Sequence, residues 1–129
     1  MKLVAISMKN RLFADGAKVL LSKSGNFNTK IVSAVPSQNM ILDCVALHPE
    51  IILLEIIPNV ADLSFKERLE EIRRLKDLLP EVKFAMICDE IAYPELAKAV
   101  MRAKQEKKID AFYYMSVSGE YLAADLDTI

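Results

Sequence analysis

The chain has 129 residues, 53% hydrophobic and 27% charged, with 17 basic and 18 acidic side chains and a formal net charge of −1. That fits one folded domain with a sizeable core and excludes a second domain or a disordered chain. A pI near 5.9 argues against a basic nucleic-acid surface, which needs clustered Lys and Arg to neutralise phosphates. Two cysteines, Cys44 and Cys88, stand far apart without CxxC spacing. They fit buried thiols of a reducing compartment, with neither a disulfide framework nor a zinc site. No apolar run approaches the roughly 18 residues of a membrane span, and the apolar start is too short for a secretory signal. A cytoplasmic globular domain is expected.

Along the chain, two periods alternate. Residues 3–8 form a short apolar run, and Asn10 can cap a helix reaching about residue 23, with Leu12, Ala17, Val19, Leu20 and Leu21 as its apolar positions. Residues 29–35 read as a strand. Pro36-Ser37 ends it and opens a helix with Ser37 as cap. That helix carries Met40, Ile41, Cys44, Val45 and Leu47 on one face, and Pro49 after His48 stops it. Residues 51–57 are the most apolar stretch, and a strand apolar on both faces belongs in the middle of a parallel sheet. Its one polar member is Glu55. A long amphipathic helix follows over about 64–79, with Phe65, Leu69, Ile72, Leu75 and Leu79 at three-to-four spacing. Residues 82–88 read as a fourth strand, 93 to about 107 as a fourth helix, 111–115 as a fifth strand and 118 to about 128 as a fifth helix.

Five strands alternating with five helices imply a doubly wound parallel sheet with right-handed crossovers. Ligands of such sheets bind at the carboxyl ends of the strands. The candidate site is therefore Ser7, Met8 and Lys9 after the first strand, Glu55 on the third, Cys88 and Asp89 after the fourth, and Met115 and Ser116 after the fifth. A dinucleotide fold needs GxGxxG at the first turn, where this chain has Ser7-Met8-Lys9-Asn10-Arg11 without a glycine. Walker-type GxxxxGK is also absent, and of a flavodoxin-type phosphate loop only Ser7 is present.

Residues 49–58, PEIILLEIIP, resemble the central segment of response-regulator receiver domains, usually written PDLVLLDxxMP. The resemblance spans nearly the whole chain. Residues 2–21, with Asp15-Gly16 before an apolar Leu-Leu, look like the first strand and helix, and 82–88 like the fourth strand. IDAFYYM at 109–115 resembles the GADxYLxK segment, and SGEYL at 118–122 resembles the SPEEL that opens the last helix. The resemblance implies a flavodoxin-like (βα)5 domain over residues 1–129, strand order 2-1-3-4-5, and a signalling role with no enzymatic activity of its own.

The family's chemistry does not carry over. A receiver has two acidic residues after the first strand, a phosphoacceptor Asp on the third, Ser or Thr on the fourth and Lys on the fifth. Here those positions hold Ser7 and Met8, Glu55, Cys88 and Met115. Only the switch aromatic persists, as Phe112. Mg²⁺ wants octahedral oxygen ligands with carboxylates among them, and two are gone. Without the metal and the Lys, charge on a transferring phosphoryl group goes largely uncompensated. The extra methylene of Glu55 displaces its oxygen by about an ångström, which matters where positioning dominates.

Each remaining candidate has two readings. Glu55 is either a fixed mimic of the phosphorylated state or a carboxylate at a solvated strand end, paired with Lys9. Cys88 is a redox-sensitive thiol or a small buried hydrophobe. His48 is a phosphoryl or metal ligand, or a residue meeting the terminal carbonyls of its helix. Met40, Met86, Met101 and Met115 have core spacing. The run Lys98, Arg102, Lys104, Lys107 and Lys108 on the fourth helix is a solvated face or, as the resemblance implies for the fourth helix, fifth strand and fifth helix, a partner-binding one. Tyr113, Tyr114 and Tyr121 would anchor it.

The expectation is a degenerate receiver domain, without cofactor or metal, that binds a protein partner or a second copy. It is expected to be the front part of a longer bacterial regulator, whose output, as the resemblance implies, binds DNA and controls transcription. Two rivals stand beside it, an active phosphoacceptor using Glu55 with Asp89, and a ligand-sensing domain using the same cleft.

Overall fold

A computed structural model describes residues 1–129. In chain order the elements are β1 (Lys2–Ser7), α1 (Arg11–Lys23), β2 (Phe27–Ile31), α2 (Ser37–Leu47), β3 (Ile51–Ile56), α3 (Phe65–Leu78), β4 (Lys83–Cys88), α4 (Pro94–Gln105), β5 (Ala111–Tyr114) and α5 (Gly119–Leu126). The five strands form one sheet in the order β2-β1-β3-β4-β5, every neighbouring pair parallel. This is the expected flavodoxin-like arrangement.

All six residues of β3 are buried, which suits the central strand of a sheet covered on both faces. Strand alternation divides them between two cores. Ile52, Leu54 and Ile56 pack beneath α2, α3 and α4 with Met40, Cys44, Ile72, Leu75 and Val100. Ile51 and Leu53 pack beneath α1 and α5 with Ala14, Ala17, Leu21, Leu122 and Leu126. At roughly 25 cal/mol per Å² of apolar surface, these two layers supply most of the driving force for folding.

Several local expectations change. Leu12, Val19 and Leu20 are 85%, 61% and 44% exposed, because α1 turns its small residues Ala14 and Ala17, with Leu21, toward the sheet. The second strand is Phe27–Ile31 rather than 29–35. It is an edge strand that can extend only as far as β1 offers partners, and Ile31 already lies opposite Ile6. Ser37 is not the cap of α2. It is the first helical residue, and its N–H donates to Asp62 Oδ2 at 2.9 Å, so a loop distant in sequence caps this helix. The Ser37 amide accordingly holds the Asp62 carboxyl below its usual value. Lys107 and Lys108 lie beyond α4, whose end is marked by Lys107 in the left-handed region at φ 62°. Met40 and Met86 are core residues, but Met101 is 39% exposed. No helix is long and apolar enough to cross a membrane.

Candidate functional site at the carboxyl ends of the strands

Parallel pairing of β1 with β3 places Ser7 beside Leu54, so the ends of the first and third strands converge. Ser7 is fully buried. Its hydroxyl donates to Ser33 O at 3.0 Å and accepts from Arg68 Nη1 at 3.2 Å. Met8 is buried in the core under α1 and α5. Glu55, only 3% exposed, is neither at a solvated strand end nor paired with the Lys9 ammonium. Its Oε1 accepts from the backbone N–H of Lys9 at 2.8 Å and of Asn10 at 3.3 Å. The loop entering α1 thus wraps around this carboxylate. Donors at the start of a helix and its positive dipole end favour an anion there. Asn10 closes the arrangement by accepting from Phe13 N at 3.0 Å, as the expected N-cap.

The remaining sequence candidates do not join Glu55. Cys88 is fully buried in the core under α2, α3 and α4. Burial, helped by Glu90 and Asp89, pushes its thiol up to about 11, so little thiolate exists near neutral pH. Asp89 caps its own loop, Oδ1 accepting from Ile91 N and Ala92 N at 3.1 and 3.0 Å. Ser116 bonds Glu90, and Met115 is half-buried, its N–H continuing the ladder to Cys88 O. His48 is an exposed left-handed residue at φ 52° ending α2, its amide donating to Cys44 O.

What sequence reasoning missed is Arg68. This guanidinium is completely buried and reaches from α3 under the strand ends. It donates to Glu55 O at 2.9 Å, Ser7 O at 2.9 Å, Ser7 Oγ and, at 3.0 Å, Glu71 Oε1. Glu71 is also buried, and its Oε2 has no partner. Desolvation pulls the Arg68 pKa down and pushes that of Glu71 up, each partly offset by the other. The signal was present. Arg68 precedes Ile72, Leu75 and Leu79 by four, seven and eleven residues, so it lies on the apolar stripe of α3.

These donors do not fit the Mg²⁺ that the resemblance implies. Ser7 is already bonded on both sides, Met8 offers a thioether, and Glu55 has its Oε1 engaged by two amides, which leaves Oε2 alone where the ion needs several oxygen ligands. A buried cation also stands beneath the same strand ends, where a second cation would be repelled.

On the far side of β4, an open hollow of about 600 Å³ lies along α4, β5 and α5, lined in part by Met101, Lys104, Phe112, Tyr114 and Tyr121. Phe112 is half-buried against the core under α2, α3 and α4, and meets the Tyr114 ring edge-on at 5.2 Å. Tyr114 and Tyr121 are 40% and 59% exposed. Tyr113 is not an exposed anchor. It is buried, and its hydroxyl donates to Asp125 Oδ2 at 2.6 Å, tying β5 to α5. Lys98 and Arg102 do not line the hollow, and Lys98 pairs with Glu95 on its own helix.

No family model matches the sequence, and no curated protein matches it. Solved structures do match in shape. The receiver domain of NtrX from Brucella abortus superposes with a TM-score of 0.72 at 17% identity, covering 98% of this chain and 95% of that one. A DNA-binding response regulator of the LuxR family from Staphylococcus aureus gives 0.72 at 18% identity, covering 99% and 98%. A LuxR-family two-component response regulator from Aurantimonas gives 0.73 at 9% identity, covering 99% and 84%. The fold of this chain is that of response-regulator receiver domains.

Proposed function

We propose that this chain is a receiver-type signalling module that has lost Mg²⁺-dependent aspartyl phosphorylation and acts through protein contact. One observation carries the reading. The strand ends that would hold acid, metal and phosphoryl group are closed by internal bonds, with Glu55 held by the Lys9 and Asn10 amides and Arg68 seated under Ser7. Both amides bind Oε1 and hold the carboxylate against the loop entering α1, which speaks for a structural Glu55 over a mimic of phosphorylation. The aromatic hollow of α4, β5 and α5 is the surface that receives a protein partner, with Tyr114 and Tyr121 as anchors. On this reading the domain works in the cytoplasm within a longer regulator, whose DNA-binding output it controls.

The test is incubation with Mg²⁺ and a small phosphodonor, or with beryllofluoride, followed by intact mass and amide shifts. The expected result is unchanged mass and no saturable shift around Glu55. An added phosphoryl group, or Mg²⁺-dependent shifts at Glu55 and Asp89, would restore the active phosphoacceptor.

A further inference from the structure

Helix α3 borders a second hollow, of about 560 Å³, that shares no residue with the aromatic one of α4, β5 and α5. Phe65, Leu69 and Ile72 fall at i, i+4 and i+7 and form its floor, Phe65 and Leu69 half-buried against the core beneath. One residue further round the helix, Lys66, Glu70 and Arg73 make a charged wall at the same spacing. Lys76 and Lys108 close the far end, where the Lys76 ammonium donates to Lys108 O at 3.4 Å. From Phe65 to Lys76 the trough follows α3 for about 16 Å, roughly three turns. Four cations and one carboxylate thus surround an apolar floor, in a chain whose net charge is −1. Glu70 is already taken by Nε and Nη2 of Arg73, and Lys108 meets Glu106 only at 3.8 Å. Lys66 and Lys76 pair with no carboxylate of the domain.

We propose that this trough binds an acidic amphipathic helix of a protein partner, apolar stripe down and carboxylates against Lys66, Arg73, Lys76 and Lys108. Charge complementarity selects the sign of the occupant, because a basic segment would set its own cations against these four. The three-to-four spacing of the floor selects a helix, whose apolar ridge follows a row of the same period. Concavity tells against a lipid surface, since a flat bilayer cannot reach a floor that lies below its walls. Phe65 is the one aromatic side chain of the lining, so the successive bases of a single-stranded nucleic acid lack a run of stacking platforms. Neither Tyr114 nor Tyr121 lines the trough, so contact here is separable by substitution from contact at the aromatic face.

Amide shifts of the isotope-labelled 129-residue chain test the proposal. The probe is a synthetic helical peptide of about four turns, with leucine at three-to-four spacing and glutamate elsewhere. Saturable shifts are expected over residues 65–76 and at Lys108, with affinity falling as salt rises. Lys66→Glu/Lys76→Glu reverses two exposed charges that make no ion pair, so the fold stays and affinity should fall about tenfold or more. The same peptide in scrambled order keeps its charge but loses its ridge, and should bind about tenfold more weakly. Tyr114→Ala should change nothing. The proposal is overturned if millimolar peptide gives no saturable shift, or shifts the aromatic face alone. It is overturned too if the scrambled peptide binds equally well or the charge reversal has no effect. Vesicles containing phosphatidylserine, or single-stranded DNA, that shift these amides where the peptide does not would also overturn it.

Discussion

The carboxyl ends of β1 and β3 and the face of α4, β5 and α5 treat polar and aromatic groups in opposite ways. At the strand ends a charged side chain is completely buried and saturated, Arg68 donating four bonds within the domain. On the α4–β5–α5 face, large aromatic side chains stand exposed around an open hollow with little holding them. A receiver-shaped domain is expected to keep its chemistry at the first place and transmit it through the second. Here the groups at the first are bonded within the domain, and the aromatic side chains at the second stand open to solvent. Substitutions at the strand ends should therefore cost stability, and those on the aromatic face should cost binding.

The largest effect is expected at Arg68. Arg68→Met leaves Glu71 buried without its counter-ion and strips donors from Ser7 and Glu55, which should destabilise the domain by about 3–5 kcal/mol in urea unfolding. The double variant Arg68→Met/Glu71→Leu should recover much of that loss, since paired removal of a buried ion pair is far milder than breaking it. A double variant no more stable than Arg68→Met would contradict the buried pair as the cause. Next is Glu55→Ala, which removes the acceptor for two loop amides and should cost about 1–2 kcal/mol. Glu55→Gln keeps an acceptor oxygen and should cost less than half as much. If both substitutions were neutral, Glu55 would not be framework, and the contrast between the two regions would fail there.

A pH effect follows from Glu71. Burial raises its pKa above the usual 4.5, with Arg68 only partly offsetting, so the folded chain binds this proton more tightly than the unfolded chain does. The stability linked to it is fully present below 4.5 and is lost as pH rises through the folded value. Glu71→Gln cannot titrate. The stability of the natural chain minus that of Glu71→Gln should therefore fall as pH rises from 4.5, read from urea midpoints across the range. A difference that rises with pH would reverse the assignment. The smallest stability effect belongs to the aromatic face. Tyr114→Ala and Tyr121→Ala should shift unfolding by about 0.5 kcal/mol or less, while partner affinity measured by titration drops at least tenfold. Stability losses as large as those at Glu55 would make these tyrosines framework after all.

Most of the architecture was legible because it rests on period and breakers. The apolar run of β3, the Asn10 cap and the stripe of α3 each announced an element in local residues alone. The strand-end positions were also found, since topology places them without any knowledge of packing. Their roles were not. Lys9 seemed a counter-ion for Glu55, yet its backbone amide makes the bond, and peptide groups leave no trace in side-chain identity. Ser37 looked like a helix cap because it follows Pro36, but Asp62 caps that helix from 25 residues away. Tyr113 and Tyr114 are neighbours of like chemistry, and strand alternation sends one into the core and the other outward.

The amino-acid sequence by itself determined the order of elements, the central position of β3 and the absence of a carboxylate at Ser7 and Met8, because each depends on which residues are present and how they are spaced. Only the tertiary structure decided what fills those strand ends. A charged residue on an apolar stripe has two fates, reaching out to water or turning inward. Arg68 turns inward because the ends of β1 and β3 converge above it with acceptors enough to satisfy a guanidinium. That choice depends on groups 13 and 61 residues away, and no local pattern records it.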